Sequence, residues 1–202
     1  MLDNKSDLRL LLKVVFVCYL FSGYLMKHLL IMKQVNWFDR KFDFTYQQNI
    51  FPSIIERLAG TVLRLEHKLA KISERKHTVK PDNGWSILEH IGHLSDLEPL
   101  WQIRLEEILS GKEFMSSADL QNTKTNEAGH NNKSFQQLIT EFSALREQTL
   151  KMIESLNEEE IYRSSLHPRL KTPMRTMDLF LFVAEHDDHH LAKITELDRL
   201  IS

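Results

Sequence analysis

The stretch 135–156 sets Phe135, Leu138, Phe142, Leu145, Thr149, Met152 and Leu156 at alternating spacings of three and four. That pattern is one apolar side of an α-helix, and such a side must be buried against other elements. Ser134-Phe135-Gln136-Gln137 supplies a capping box at its start, where serine and glutamine satisfy free backbone N–H groups reciprocally. The chain therefore has to supply partner helices, and three more stretches qualify.

Over residues 51–75, Leu58, Val62, Leu65, Leu69 and Ile72 form a seam, with Glu66, His67, Lys68 and Lys71 off it. His67 and the later His77 are expected at the surface, and Pro81-Asp82-Asn83-Gly84 breaks the chain. A second capping box, Ser86-Ile87-Leu88-Glu89, opens the next helix, which should end near Ser110-Gly111. Ile87, Ile91, Leu94, Trp101, Leu105 and Ile108 make its main stripe, and His93, Leu97, Leu100 and Arg104 a neighbouring one. Pro99 should bend this helix. From residue 176 to the C-terminus a fourth helix carries Leu179, Val183, His186, His190, Ile194, Leu197 and Ile201 inward. Asp178, Glu185, His189, Lys193 and Glu196 fall on the opposite side, which the pattern expects to be solvated. Four amphipathic helices without a run of strand alternation predict an all-α four-helix bundle.

The connections differ in kind. Residues 34–44 interleave aromatics with charges and read as an extended N-terminal arm over the core. Residues 115–133 are polar and long for a connection, a candidate lid or a mobile linker. Two prolines hold residues 166–173 out of helix. Residues 1–31 stand apart as an apolar extension with three competing readings: a membrane anchor, a signal peptide without a cleavage site, or a mis-assigned start upstream of Met32. The bundle domain is then 32–202.

Lysine and arginine number 26 against 28 acids, so no global charge argues for nucleic acid or an anionic membrane. The single cysteine, Cys18, excludes an intramolecular disulfide and a cysteine-based zinc site. Among 10 histidines, His186 and His190 are four apart on an inward stripe where the pattern calls for leucine, spaced to share one metal ion. Buried imidazoles must hydrogen-bond or coordinate. A third from another helix, His93 or His90, would complete a three-histidine site with positions open to water, as in catalytic metal centres. Asp187, Asp96 and Glu98 are candidate supports behind it. No HExxH, GxSxG, P-loop or dinucleotide glycine motif is present, which leaves a metal-activated water or thiol as the nucleophile.

The pairing of GWSILEHIGHLSDLEPLW (84–101) with FVAEHDDHHLAKI (182–194) resembles the DinB/YfiT-like superfamily of metal-binding four-helix bundles, and VNWFDRKFDF and HPRLKTPMR resemble one branch of it. The likeness covers about 32–202. It implies three metal histidines, which fall on His93, His186 and His190, and a divalent ion, typically nickel or zinc, often in a homodimer. It further implies a cytoplasmic enzyme acting on a small molecule: a transferase of low-molecular-weight thiols, the slightly preferred expectation, or a metal-dependent hydrolase. The rival expectation is a stress-associated metal-binding protein without catalysis. His130, His167 and Arg169 are expected to line the mouth of the site. No nucleic-acid partner is expected, and a membrane role only if residues 8–31 act as an anchor.

Overall fold

The computed structural model describes residues 34–81 and 84–201. The chain forms two compact units, 1–40 and 41–202. In the first, the described residues hold one 3-10 turn, Trp37–Asp39, where Asn36 donates to the Asp39 carboxylate and Arg40 lies over the Trp37 ring. The readings of residues 1–31 lie outside the described residues. Among those described, no helix is long and apolar enough to cross a membrane.

The second unit is built from α1 (Phe51–Leu69), α2 (Ile87–Leu109), α3 (Thr123–Glu127), α4 (Phe135–Glu154), α5 (Glu158–Tyr162) and α6 (Thr176–Leu200), with an antiparallel hairpin of β1 (Ser164–Leu166) and β2 (Pro173–Arg175) before α6. Both expected capping boxes form, at Ser86 with Glu89 and at Ser134 with Gln137. Gly111, at φ +74°, ends α2 in the left-handed region that a side chain would strain. α1 closes earlier than its apolar pattern does. The N–H groups of Lys71 and Ile72 turn back to the carbonyls of Lys68 and Leu69, three residues away, which tightens the end while keeping Ile72 buried.

The four long helices form a ring in which α1 and α2 each pack against both α4 and α6. Thr61 bonds to Asp187 and Lys68 to Thr195, so α1 and α6 run the same way. His90 meets His190 while Trp101 meets Phe182, so α2 and α6 run in opposite directions. One apolar cluster fills the end containing Leu65, Leu69, Ile87, Ile91, Leu138, Phe142, Ile194 and Leu197. α2 and α6, the helices with inward histidines, are therefore neighbours.

Several expectations need correction. The inward side of α4 is Leu138, Ile139, Phe142, Arg146, Thr149 and Ile153, whereas Leu145, Met152 and Leu156 are only half-buried. Contact with both α1 and α2 rotates the buried side toward Arg146. That arginine is 1% exposed and donates to Glu98 of α2 and Asp187 of α6. Burial works against its charge, but Asp187 and Glu98 outweigh it and hold the guanidinium well above its ordinary pKa. His77 is buried, not at the surface, its ring edge-on to Phe135 beneath the Glu74–Lys76 turn. His189 and Asp178 are buried too, because α6 is covered from both flanks and at its N-terminus, where Asp178 binds Arg175.

The connections are more ordered than a polar composition implies. Within residues 115–133, α3 and the 3-10 turn His130–Asn132 bury Met115, Thr125 and His130. Residues 41–50 run without helix or strand, Phe42 against Phe182, and Arg175 donates to the carbonyls of Phe44 and Tyr46.

Candidate metal centre

His93 on α2 and His186 and His190 on α6 are each buried, and each offers one ring nitrogen within 4.8 Å of the other two. One turn of helix separates His186 from His190, so their Nε2 atoms face each other at 3.1 Å. Two imidazole nitrogens facing at that distance require a proton or a cation between them.

The third ring is oriented by a chain of hydrogen bonds from the connection 115–133. Asp96 can only accept, so Thr125 Oγ1 donates to Asp96 Oδ2 at 2.9 Å, and its lone pair accepts from His93 Nδ1, also at 2.9 Å. His93 then carries its proton on Nδ1 and presents a bare Nε2 to the cluster. A proton donor on the far nitrogen is how metal-binding histidines are held. His130 Nε2 donates to the same Asp96 oxygen at 2.9 Å. Burial would raise the Asp96 carboxyl, but the bonds from His130 and Thr125 outweigh it and hold it below its ordinary range.

Gly92 makes room for this arrangement. A Cβ there would come within 2.3 Å of the His130 ring, so any side chain would expel it. On the other side, His190 Nδ1 lies 2.8 Å from His90 Nδ1. With His190 Nε2 committed to the cluster, His190 Nδ1 is the donor and His90 the acceptor. Trp85 roofs the site, its ring centroid 4.6 Å from that of His93 and 5.5 Å from that of His90, with Nε1 bonded to Asn126. A cleft of about 430 Å³ opens beside it, lined by Pro81, Trp85, His90, Lys193 and Leu197.

Burial, and then the neighbouring imidazoles, keep these rings neutral. His93 is pushed down to about 4, against a partial lift from Asp96, and His90 to about 3. His186 and His190 fall well below the ordinary histidine value. Neutral, converging and partly pre-oriented imidazoles fit a divalent cation of the zinc or nickel type better than calcium or magnesium, which take oxygen.

The structure thus brings His93, His186 and His190 together, with His130 tied to His93 through Asp96 and Thr125. His167 and Arg169 stand on the connection between β1 and β2: His167 is buried with its ring 6.0 Å from that of Phe182, and Arg169 is exposed. Thr125 and Arg146 escaped the sequence reading. Thr125 lay in a connection read as lid or linker, and Arg146 sat one place off the stripe.

A family model described as the DinB superfamily matches residues 57–194. Among solved structures, YfiT from Bacillus subtilis, described as a probable metal-dependent hydrolase with an unusual four-helix bundle topology, superimposes with a TM-score of 0.64 at 20% identity. The match covers 80% of this chain and 93% of that one. A Streptococcus pneumoniae protein gives 0.56 at 14% identity over 81% and 94%. At these identities the likeness is one of fold. No curated protein matches the sequence at a significant level.

Proposed function

The chain belongs to the DinB superfamily, and on that premise we propose that it is a divalent-metal-dependent hydrolase whose ion is held by His93, His186 and His190. The observation that carries this reading is the closeness of three buried, neutral imidazole nitrogens on two neighbouring helices. Bound there, the ion would supply the Lewis acidity that makes water nucleophilic near neutral pH. Three protein ligands leave room for a small molecule, as catalytic rather than closed structural sites do.

The surrounding residues have distinct tasks. Thr125 and Asp96 fix the tautomer of His93, and His90 does the same for His190. Trp85 limits water on the side of the cleft. Activation of a low-molecular-weight thiol would use the same ligands. Water is preferred here because the Bacillus subtilis neighbour is described as a hydrolase.

Metal analysis of tag-free protein tests the reading. The expected result is one divalent ion per chain, or its uptake on addition of zinc or nickel. His186→Ala should abolish binding while the helical circular dichroism persists. A metal-loaded protein without turnover of any ester, amide or thiol substrate would instead favour a binding protein without catalysis. Absence of stoichiometric metal under all these conditions would remove the proposal.

A further inference from the structure

Only two arginines are buried among the described residues, and they are treated in opposite ways. Arg146 has two carboxylates. Arg104, 2% exposed on α2, has no carboxylate within ion-pair distance. Its Nε donates to the Ser116 carbonyl at 2.9 Å, and its guanidinium lies 5.4 Å from the centre of the Trp101 ring. Glu107, the acid that acts on it, gives its oxygens to Lys112 and to the N–H and hydroxyl of Ser116. Among the described residues, no acceptor lies within hydrogen-bond distance of the two Nη groups of Arg104.

His167 offers a matching donor. Its Nδ1 accepts from the backbone N–H groups of Arg169 and Leu170, which places its proton on Nε2. Among the described residues, that Nε2–H has no hydrogen-bond partner, and the residue is 4% exposed. Backbone bonds set the two segments side by side: Met115 N–H donates to the Leu166 carbonyl and Leu166 N–H to that of Glu113, so Ser116, whose carbonyl holds Arg104, lies against the stretch that carries His167. Burial, and then the charges of Arg104 and the exposed Arg169, push His167 down to about 4. Trp101 and Phe182 connect this pair to the metal centre: Trp101 stands 6.1 Å from His186, and Phe182 stands 6.0 Å from His167.

An uncompensated buried cation is costly, and a charge kept in that state calls for an anion. We propose that Arg104 and His167 form an anion subsite that receives a carboxylate of the substrate, held by the two Nη groups of the guanidinium and by His167 Nε2–H. Because Nε is already taken, the free edge is the Nη pair, whose two parallel donors match the two oxygens of a carboxylate. Arg169 at the surface draws the anion inward. Only the statement that the anion belongs to a substrate rests on the hydrolase reading. The binding itself does not.

The test is titration of the full chain, metal-free and zinc-loaded, with acetate and with neutral acetamide at constant ionic strength, followed by thermal shift and by the histidine NMR signals. Acetate should bind saturably in both forms and acetamide should not. Arg104→Met should weaken acetate at least about tenfold, and Arg104→Lys, which keeps the charge without the fork, should fall between. His186→Ala should lose metal and keep acetate binding, which separates failure of the metal proposal from failure of this one. If acetate and acetamide behave alike, or if Arg104→Met binds acetate as the wild type does, the subsite is refuted. If Arg104→Met does not fold, an unchanged acetate affinity in Arg104→Lys refutes it equally.

Discussion

Replacing Arg146 with methionine should be the most damaging change outside the metal ligands. The guanidinium donates to Glu98 Oε1 from two nitrogens, to both oxygens of Asp187 and to the Leu58 carbonyl, and so ties α4 to the other three long helices. Glu98 is 0% and Asp187 1% exposed. Methionine fills the volume but leaves two carboxylates facing each other without water or cation. Breaking a buried ion pair by removing one partner costs about 3–5 kcal/mol. For a chain of this size that lowers the melting temperature by roughly 6–20 °C. Urea unfolding, read by circular dichroism, gives the free energy directly. Adding Glu98→Gln and Asp187→Asn to the same chain should recover most of the loss, since neutral amides need no cation. Asp187 adjoins His186, so the single variant should also bind zinc more weakly. A loss below about 1 kcal/mol, or no recovery in the triple variant, would show that the network does not hold the helices together.

Three further outcomes follow from the geometry around the cluster. Thr125→Val removes the group that accepts from His93 Nδ1, and zinc affinity measured by chelator competition should fall roughly 10–100-fold with the helical spectrum retained; unchanged affinity would detach the connection 115–133 from the site. Gly92→Ala drives a methyl into the His130 ring and should cost about 1–3 kcal/mol, with loss of the His130–Asp96 bond visible in the imidazole NMR signals. The metal-free protein should also be acid-sensitive. His93 titrates at about 4 when folded against about 6.5 unfolded, so the unfolded chain binds the proton first. Its contribution is complete above pH 6.5 and is lost as pH falls toward 4, about 3 kcal/mol for this residue alone. Stability that stays flat between pH 7 and 4.5 would contradict the neutral, buried cluster.

How much of this could be read in the sequence depended on how local each signal was. His186 and His190 stood out because the helical period is a property of neighbouring residues, and α6 obeys it. His90 and His93 could not be separated that way. Every residue from Ile87 to Ser95 is buried, so no stripe distinguishes one side from another. The family resemblance chose His93. In the structure the distinction comes from Thr125, 32 residues downstream, which occupies one nitrogen of His93 and leaves the other for the cluster. His189 failed for the related reason that a helix covered on two flanks buries more than one stripe.

The buried arginines were illegible because charge is read as solvent exposure, and the carboxylates of Arg146 lie 48 and 41 residues away in sequence on different helices. Charge balance is the rule that finds them. Glu98 and Asp187 sit on buried parts of two neighbouring helices, and their charges demand a cation from a third. Arg146, on the side of α4 that faces both, satisfies that demand. Applied to Arg104 the same rule returns no partner, because the one acid that acts on it already serves Lys112 and Ser116. A core that pairs one arginine so completely has the means to pair the other, and the partner it withholds is the one a ligand would bring. That is why the acetate titration bears on function while the Arg146 variant bears on the fold.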